Sequence, residues 1–258
     1  MDIQLREKID IIELDEVAST NLYAKANLSD LADRTVVCAD KQTAGRGRFQ
    51  RAWVDLGCGN IFMSIVLKPS NVFNPLYTNI TQYLSVVLCQ VMEEYGLTPE
   101  IKWPNDVQIK GKKIAGILSE TVVQGQNFKG LILGAGINLN AKQEDLSLIK
   151  DKEVTALNLE LGKNIDKMEF LNKLLDKFFE NYDNFLSKGF SLIEKDYISR
   201  TCFLGKEISV KGFDKTVSGL AKCINSAGEL VLSQDDKEIL VTMGDILWMK
   251  QLWQVLRY

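Results

Sequence analysis

Two hydrophobic periods run through this chain and divide it into regions. Residues 34–40 and 60–68 are β-branched and apolar and predict strands. Residues 9–15 are a shorter apolar run that predicts an edge strand. A long apolar run at 76–95 follows Asn74-Pro75 and stops before Gly96, which predicts a core helix with proline in its first turn. Residues 100–106 predict a strand halted by Pro104 and turned by Asn105-Asp106. Residues 107–110 and 113–123 predict a hairpin about Gly111-Lys112, and residues 130–140 a buried strand of small side chains. Residues 155–162 predict a short helix. Over 167–188 the period becomes helical, with Phe170, Leu171, Leu174, Leu175, Phe178, Phe179, Tyr182 and Phe185 forming an apolar stripe. From about Cys202 short runs at 207–211, 216–223, 230–233 and 238–241, punctuated by Gly212, Gly219, Gly228 and Gly244, predict a small all-β meander closed as a barrel. The aromatic tail, with Trp248, Trp253 and Tyr258, is expected to pack on the body.

Composition narrows the function classes. The chain has 258 residues, 46% of them hydrophobic, which is ample for one large domain with a small second one. A net charge of −3 gives no general attraction for nucleic acid. The five cysteines are scattered without a CxxC pair and histidine is absent, which argues against zinc and against Ser-His or Cys-His chemistry. Buried thiols in a reducing cytoplasm are the expectation. The first residues carry no apolar signal core, and no run is long enough to cross a bilayer.

Against that acidic background, residues 42–53 (Gln42-Thr43-Ala44-Gly45-Arg46-Gly47-Arg48-Phe49-Gln50-Arg51-Ala52-Trp53) concentrate three arginines, two glycines and a tryptophan. Clustered guanidinium groups repel one another unless an anion arrives, and phosphate or carboxylate fits their fork. A flexible basic surface loop is the plainer alternative, and on these residues alone the two are evenly balanced. Ser19-Thr20 reads first as a helix cap. Lys112 and Lys113 read first as a charged hairpin tip, although Lys113 leads directly into the apolar run from Ile114 to Leu118. Gly134 and Gly136 share one strand face and leave room for close approach, as by a ligand. They lack the third glycine and the helix of a dinucleotide fingerprint, and no Walker A sequence is present.

Taken together, Ser19-Thr20-Asn21, the loop from Gly45 to Trp53, Lys102-Trp103-Pro104-Asn105-Asp106, the run from Lys113 to Leu118 and the stretch from Gly134 to Asn138 resemble the biotin protein ligases in kind and in order. The resemblance extends from about residue 12 to about 245. It implies an α+β fold: a mixed β-sheet flanked by helices, of the class II synthetase and biotin ligase type, over residues 1–200, and a small C-terminal β-barrel over 201–258. It implies ATP-dependent activation of biotin to biotinyl-5'-AMP, with Mg²⁺, and transfer to a lysine of a biotin carboxyl carrier protein of acetyl-CoA carboxylase or a related carboxylase. Since Ser19 comes so early, a ligase without an N-terminal DNA-binding domain is expected. Nucleic acid and membrane are not expected partners, and a homodimer is compatible with the family.

The same resemblance assigns roles. Ser19, Thr20, Asn21, Gln42, Arg46, Gly47, Arg48, Lys113 and Gly116 would bind biotin. Arg46, Arg48, Arg51, Trp53, Asn105, Lys113 and Asn138 would bind ATP, with Trp53 stacked on adenine and Asn138 on an adenine edge. Lys113, Arg48 and Asp106 would carry catalysis, Asp106 by receiving the incoming lysine. No metal ligand is assigned. One position departs from the family pattern: Gln50 stands where a glycine is usual, and a glutamine held at positive φ would be strained. A lipoate or octanoate ligase is the nearest rival, but a linear acyl chain offers ring-binding donors nothing to bond.

Overall fold

The computed structural model describes residues 9–57, 59–150, 152–235 and 237–247. The strands are β1 (Ile11–Val17), β2 (Val36–Gln42), β3 (Ile61–Leu67), β4 (Pro99–Lys102), β5 (Asp106–Ile109), β6 (Lys112–Gln124), β7 (Asn127–Ile137), β8 (Glu207–Lys211), β9 (Thr216–Ile224), β10 (Leu230–Gln234), β11 (Lys237–Val241) and β12 (Asp245–Leu247). The helices are α1 (Thr20–Ala26), α2 (Ile80–Glu94), α3 (Gln143–Leu146), α4 (Leu157–Leu161), α5 (Lys167–Glu180), α6 (Tyr182–Lys188) and α7 (Glu194–Ser199).

The first seven strands form one sheet in the order β1-β2-β3-β7-β6-β5-β4. β1 runs parallel to β2 and the remaining neighbours pair antiparallel, so the sheet is mixed. The parallel pair needs a crossover, and α1 supplies it. Strand alternation then sends side chains to two different places. Ile61, Met63, Ile65 and Leu67 of β3 face the large core built with α2 and α5. Val66 of the same strand faces a smaller cluster of Val37, Ile132, Ala24, Leu28 and Leu31 beneath α1. That second face carries the site.

Its register matters. Phe62 pairs with Gly136, Gly136 with Gly116, and Gly116 with Asp106, while Ser64 pairs with Gly134 and Gly134 with Leu118. Glycines therefore line up across β7 and β6, making a trough in a sheet otherwise filled by side chains. α1 closes one end of the trough.

The C-terminal part is a five-stranded antiparallel sheet, ordered β11-β10-β9-β8-β12. The barrel expected from the sequence is open here: no pairing of β11 with β12 occurs among the described residues. Other elements shift modestly. The helix expected over 76–95 begins as a 3-10 turn, Pro75–Asn79, with the Asn74 Oδ1 accepting from Leu76 N at 3.0 Å. The stripe over 167–188 breaks into α5 and α6 at Asn181, whose φ of −120° leaves helical geometry. Phe170, Leu171, Leu174, Leu175, Phe178, Tyr182 and Phe185 are buried, and Phe179 is partly buried against the same core. The tail after Leu247 lies outside the described residues.

Candidate active site

A cavity of about 590 Å³ opens over the glycine trough, within the roughly 300–1,000 Å³ usual for small-molecule sites. Ser19, Thr20, Asn21, Gln42, Arg46, Gly47, Arg48, Arg51, Trp53, Asn105, Asp106, Lys113 and Gly116 all line it. These residues are drawn from stretches nearly a hundred positions apart. Asn138 is the exception among the residues named from the sequence. It is 4% exposed and its Nδ2 donates to the Thr155 carbonyl at 3.0 Å, beneath the cavity rather than at its wall.

One end of the cavity is neutral and buried. Ser19 occupies the N-cap position of α1 but its hydroxyl makes no capping bond. The Gln42 Oε1 takes over, accepting from Thr20 N at 2.8 Å and from the Thr20 hydroxyl at 3.3 Å. The Ser64 hydroxyl, fully buried, reaches Thr20 Oγ1 at 2.8 Å and Asn21 Oδ1 at 2.6 Å. Ser19, Thr20 and Asn21 are each 5% exposed or less. Buried polar groups cost stability unless bonded, so this network is fixed by its own satisfaction.

The glycines of the trough each meet a particular side chain. A Cβ on Gly134 would collide with the Asn21 Oδ1, and one on Gly136 with the Trp53 indole. A Cβ on Gly116 would lie 2.7 Å from the Trp53 Cζ3 and 2.9 Å from the Lys113 Nζ. The close approach foreseen at Gly134 is therefore made by Asn21, and at Gly136 by Trp53, which lies flat against the floor with its Nε1 buried and unbonded.

The other end is charged. The loop closes as a small hairpin, with Gly47 N donating to Arg51 O at 2.7 Å and Trp53 N to Gly45 O at 2.9 Å. A Cβ on Gly45 would sit 2.7 Å from the Trp53 carbonyl, which explains glycine there. At the tip Phe49 and Gln50 have φ of +53° and +59°. Gln50 thus takes the positive φ at which its replacement of glycine is strained, about 1–2 kcal/mol for such a residue. The Phe49 ring meets Phe213 of the β8–β9 turn edge-on at 5.5 Å.

Arg48 donates to Asn105 Oδ1 at 3.1 Å, to the Gly244 carbonyl at 3.2 Å and to Asp245 Oδ1 at 3.3 Å. Burial lowers its pKa from the usual arginine value, opposed by Asp245. Arg51 Nη1 pairs with Asp245 Oδ2 at 2.7 Å. Asn105 also donates to the Ile117 carbonyl, which pins the turn to β6. Lys113 Nζ lies 2.6 Å from Asp106 Oδ1 and 5.3 Å from the centre of the Trp53 ring. Lys102, also on the cavity wall, has its pKa lowered by burial.

Lys102, which stands in one of the motifs but was given no role, and Lys152, Lys211 and Asp245, which no motif pointed to, also line the cavity. Asp245 belongs to a three-residue strand too short to show a period, and no local signal would have placed it against a loop two hundred residues earlier. Among the described residues no cysteine lines the cavity. Burial raises the Cys38 thiol to about 12 and the Cys202 thiol to about 11. Among the described residues no group of three or more His, Cys, Asp or Glu side chains is placed to hold a metal ion.

A neutral ring-sized end, a cationic end and an adjacent lysine–aspartate pair define an adenylating acyl ligase. A profile described as the Biotin/lipoate A/B protein ligase family matches residues 12–138. The bifunctional ligase/repressor BirA of Bacillus subtilis is 31% identical over 240 residues, 92% of this chain and 73% of that protein. The biotin–[acetyl-CoA-carboxylase] ligase of Mycobacterium tuberculosis is 30% identical over 251 residues, 92% of this chain and 90% of that one. The Aquifex aeolicus biotin protein ligase solved with biotin and ATP superposes with a TM-score of 0.78 at 28% identity, covering 92% of this chain and 97% of that one. The chain belongs to the biotin protein ligase family.

Proposed function

We propose that the chain activates biotin with ATP as biotinyl-5'-AMP and transfers the biotinyl group to a lysine of a biotin carboxyl carrier protein. The observation that carries this reading is the convergence of Ser19, Thr20 and Gln42 at the neutral end with Arg46, Arg48, Arg51 and Lys113 at the cationic end of one cavity. The biotin carboxylate attacks the α-phosphorus of ATP and pyrophosphate leaves. The carrier lysine then attacks the mixed anhydride and AMP leaves. Neither step needs a protein nucleophile, so the chain's task is positioning and charge neutralisation.

Each residue has a part in that task. Ser19, Thr20, Asn21 and Gln42 bond the ureido ring, with Gly116 and Gly47 giving it room. Arg46 and Arg48 hold carboxylate and phosphates, and Arg51 adds charge at the mouth. Lys113 offsets the negative charge that develops where carboxyl and phosphorus meet. Asn105 fixes the turn that carries Asp106, and Asp106 receives the incoming lysine. A free lysine, with pKa about 10.4, is only about one part in a few thousand neutral at pH 7, so a carboxylate that orients it and draws off its proton accelerates attack. Trp53 stacks on adenine in this reading, after leaving the floor of the trough, and Asn138 reaches adenine only if its amide turns away from Thr155. Mg²⁺ brought with ATP would neutralise phosphate charge there.

The reading divides the chain near residue 200, into a catalytic part over 1–200 and a small C-terminal part over 201–258, whose described sheet supplies Asp245. Among the described residues no helix is long and apolar enough to cross a membrane, and the reading places the chain in the cytoplasm with its carrier. The net charge of −3 favours a carrier protein over nucleic acid as partner. A homodimer along the outer edge of β1 belongs to the same reading and is checked by sedimentation velocity. The experiment that tests transfer is intact-mass measurement of a purified carrier domain after incubation with the protein, biotin and MgATP. One added biotinyl group on a single lysine is expected, and an unmodified carrier contradicts the reading.

A further inference from the structure

The neutral end of the cavity is polarised from behind by a carboxylate that does not itself line it. Glu120, on β6 opposite Ile132, accepts from Asn21 Nδ2 at 2.9 Å. The same carboxylate lies 4.0 Å from Arg46 and 3.9 Å from Lys25, and its side chain is 19% exposed. On the other side of Asn21, Ser64 Oγ is 2.6 Å from the amide Oδ1 and 2.8 Å from Thr20 Oγ1. A hydroxyl has one proton and an amide oxygen only accepts, so Ser64 donates to Asn21 Oδ1 and shares that proton with Thr20 Oγ1, whose own proton goes to Gln42 Oε1. The bonds through the amide then run one way, from Ser64 to Asn21 to Glu120, and end on a group that only accepts when ionised.

This direction has a chemical consequence at the wall. Thr20 Oγ1, having given its proton to Gln42 Oε1, keeps an accepting lone pair at the cavity wall. Asn21 keeps one amide proton free of Glu120. A cyclic urea presents N–H donors and a carbonyl acceptor and matches that pattern, whereas a linear acyl chain presents neither. Without the carboxylate the Asn21 amide loses the partner that distinguishes its nitrogen from its oxygen, and Arg46, reaching over from the loop, loses the acidic group 4.0 Å away.

We propose that Glu120, assisted by Ser64, is the positioning residue that sets the donor–acceptor polarity of the neutral end, and so selects an acid carrying a cyclic urea over a linear acyl acid. The inference rests on the reading of this cavity as the biotin site.

The test is steady-state ATP–pyrophosphate exchange on Glu120→Ala, Glu120→Gln and Ser64→Ala, with biotin and with octanoate, alongside a melting curve for each. Hydrogen bonds to charged groups predict a biotin KM raised about tenfold to a hundredfold in Glu120→Ala. A smaller rise is expected in Glu120→Gln and Ser64→Ala, with kcat nearly unchanged, as for loss of uniform binding. The discrimination between biotin and octanoate falls by the same factor. Glu120→Gln retains the shape of the side chain and answers for the proposal if the alanine variant fails to fold. A biotin KM within about twofold of the parent in folded Glu120→Gln and Ser64→Ala overturns it, as does a fall in kcat and melting temperature with KM unchanged. If the parent protein shows no exchange with biotin, the reading of the cavity fails, and the role of Glu120 is not what has failed.

Discussion

The two ends of the cavity are built on opposite physical plans. At the α1 end, Thr20, Asn21 and Ser64 are 5% exposed or less and bond to one another, to Gln42 of β2 and to Glu120 of β6. At the loop end the arginines are 20–50% exposed; Arg48 and Arg51 are held by ion pairs to Asp245, and Arg48 also by the Gly244 carbonyl, while Arg46 lies 4.0 Å from Glu120. Exposed pairs contribute about 0–1 kcal/mol each and weaken with salt. Buried networks are rigid and intolerant of change. Recognition is therefore placed where the chain cannot move, and charge handling where it can. A loop that must close over an anhydride and then admit a lysine is suited by weak, replaceable contacts: phosphate can displace Asp245 from Arg48 and Arg51 without breaking the fold.

Variants at the two ends should consequently fail in different ways. The largest effect is expected for Lys113→Ala, which removes the charge at the reacting junction and leaves Asp106 without its 2.6 Å partner. A loss of about a hundredfold to a thousandfold in kcat for biotin adenylation is expected, and single-turnover kinetics would measure it. Next is Arg48→Gly. Loss of a desolvated charged contact costs roughly 2–5 kcal/mol, so at about 1.4 kcal/mol per decade the adenylate should escape tens to thousands of times faster. Labelling of bystander lysines reads that escape, with little change in melting temperature. If either variant melts well below the parent, the contrast between a loose and a rigid end is lost.

Gly134→Ala probes the rigid end. Its Cβ collides with Asn21 Oδ1, and overpacking costs typically about 1–3 kcal/mol. At about 2–4 °C per kcal/mol for a chain of this size, calorimetry should show a lowered melting temperature together with a raised biotin KM. The smallest effect is expected for Gln50→Gly, which relieves a φ of +59° at the loop tip. A gain of about 1 kcal/mol is expected, seen as a rise of a few degrees at most, with the biotin KM unchanged. A Gln50→Gly variant with an altered biotin KM would show that the two ends are coupled.

The periodic parts of this fold were legible in the sequence. The strand over residues 207–211 has the bounds its alternation predicted, and the apolar stripe after Lys167 is buried except at Phe179, which is partly buried, although the one helix expected there is two. What period could not show were interruptions set by single residues, such as Asn181, and very short strands such as β12. The site was legible as a set of motifs, because each brings its own chemistry in a few adjacent residues. Which side chain fills which space was not. Gly134 and Gly136 signalled close approach, but that Asn21 and Trp53 make it depends on the order of strands. Glu120 and Ser64 sit in strands whose sequence gives a polar residue on a mostly apolar face, a weak signal that only the register of β3, β7 and β6 turns into a network with Asn21. Asn138 was named for its motif, yet its amide is turned to Thr155 by the backbone that follows it.

The central claim is that one cavity joins a urea-reading end to a phosphate-holding end, and biotin-dependent ATP–pyrophosphate exchange tests it most directly, with lipoate and octanoate as parallel acids. Exchange supported by biotin and not by the two acids that carry no urea is the predicted result. Exchange with lipoate or octanoate and none with biotin, in folded protein with Mg²⁺ present, would contradict it.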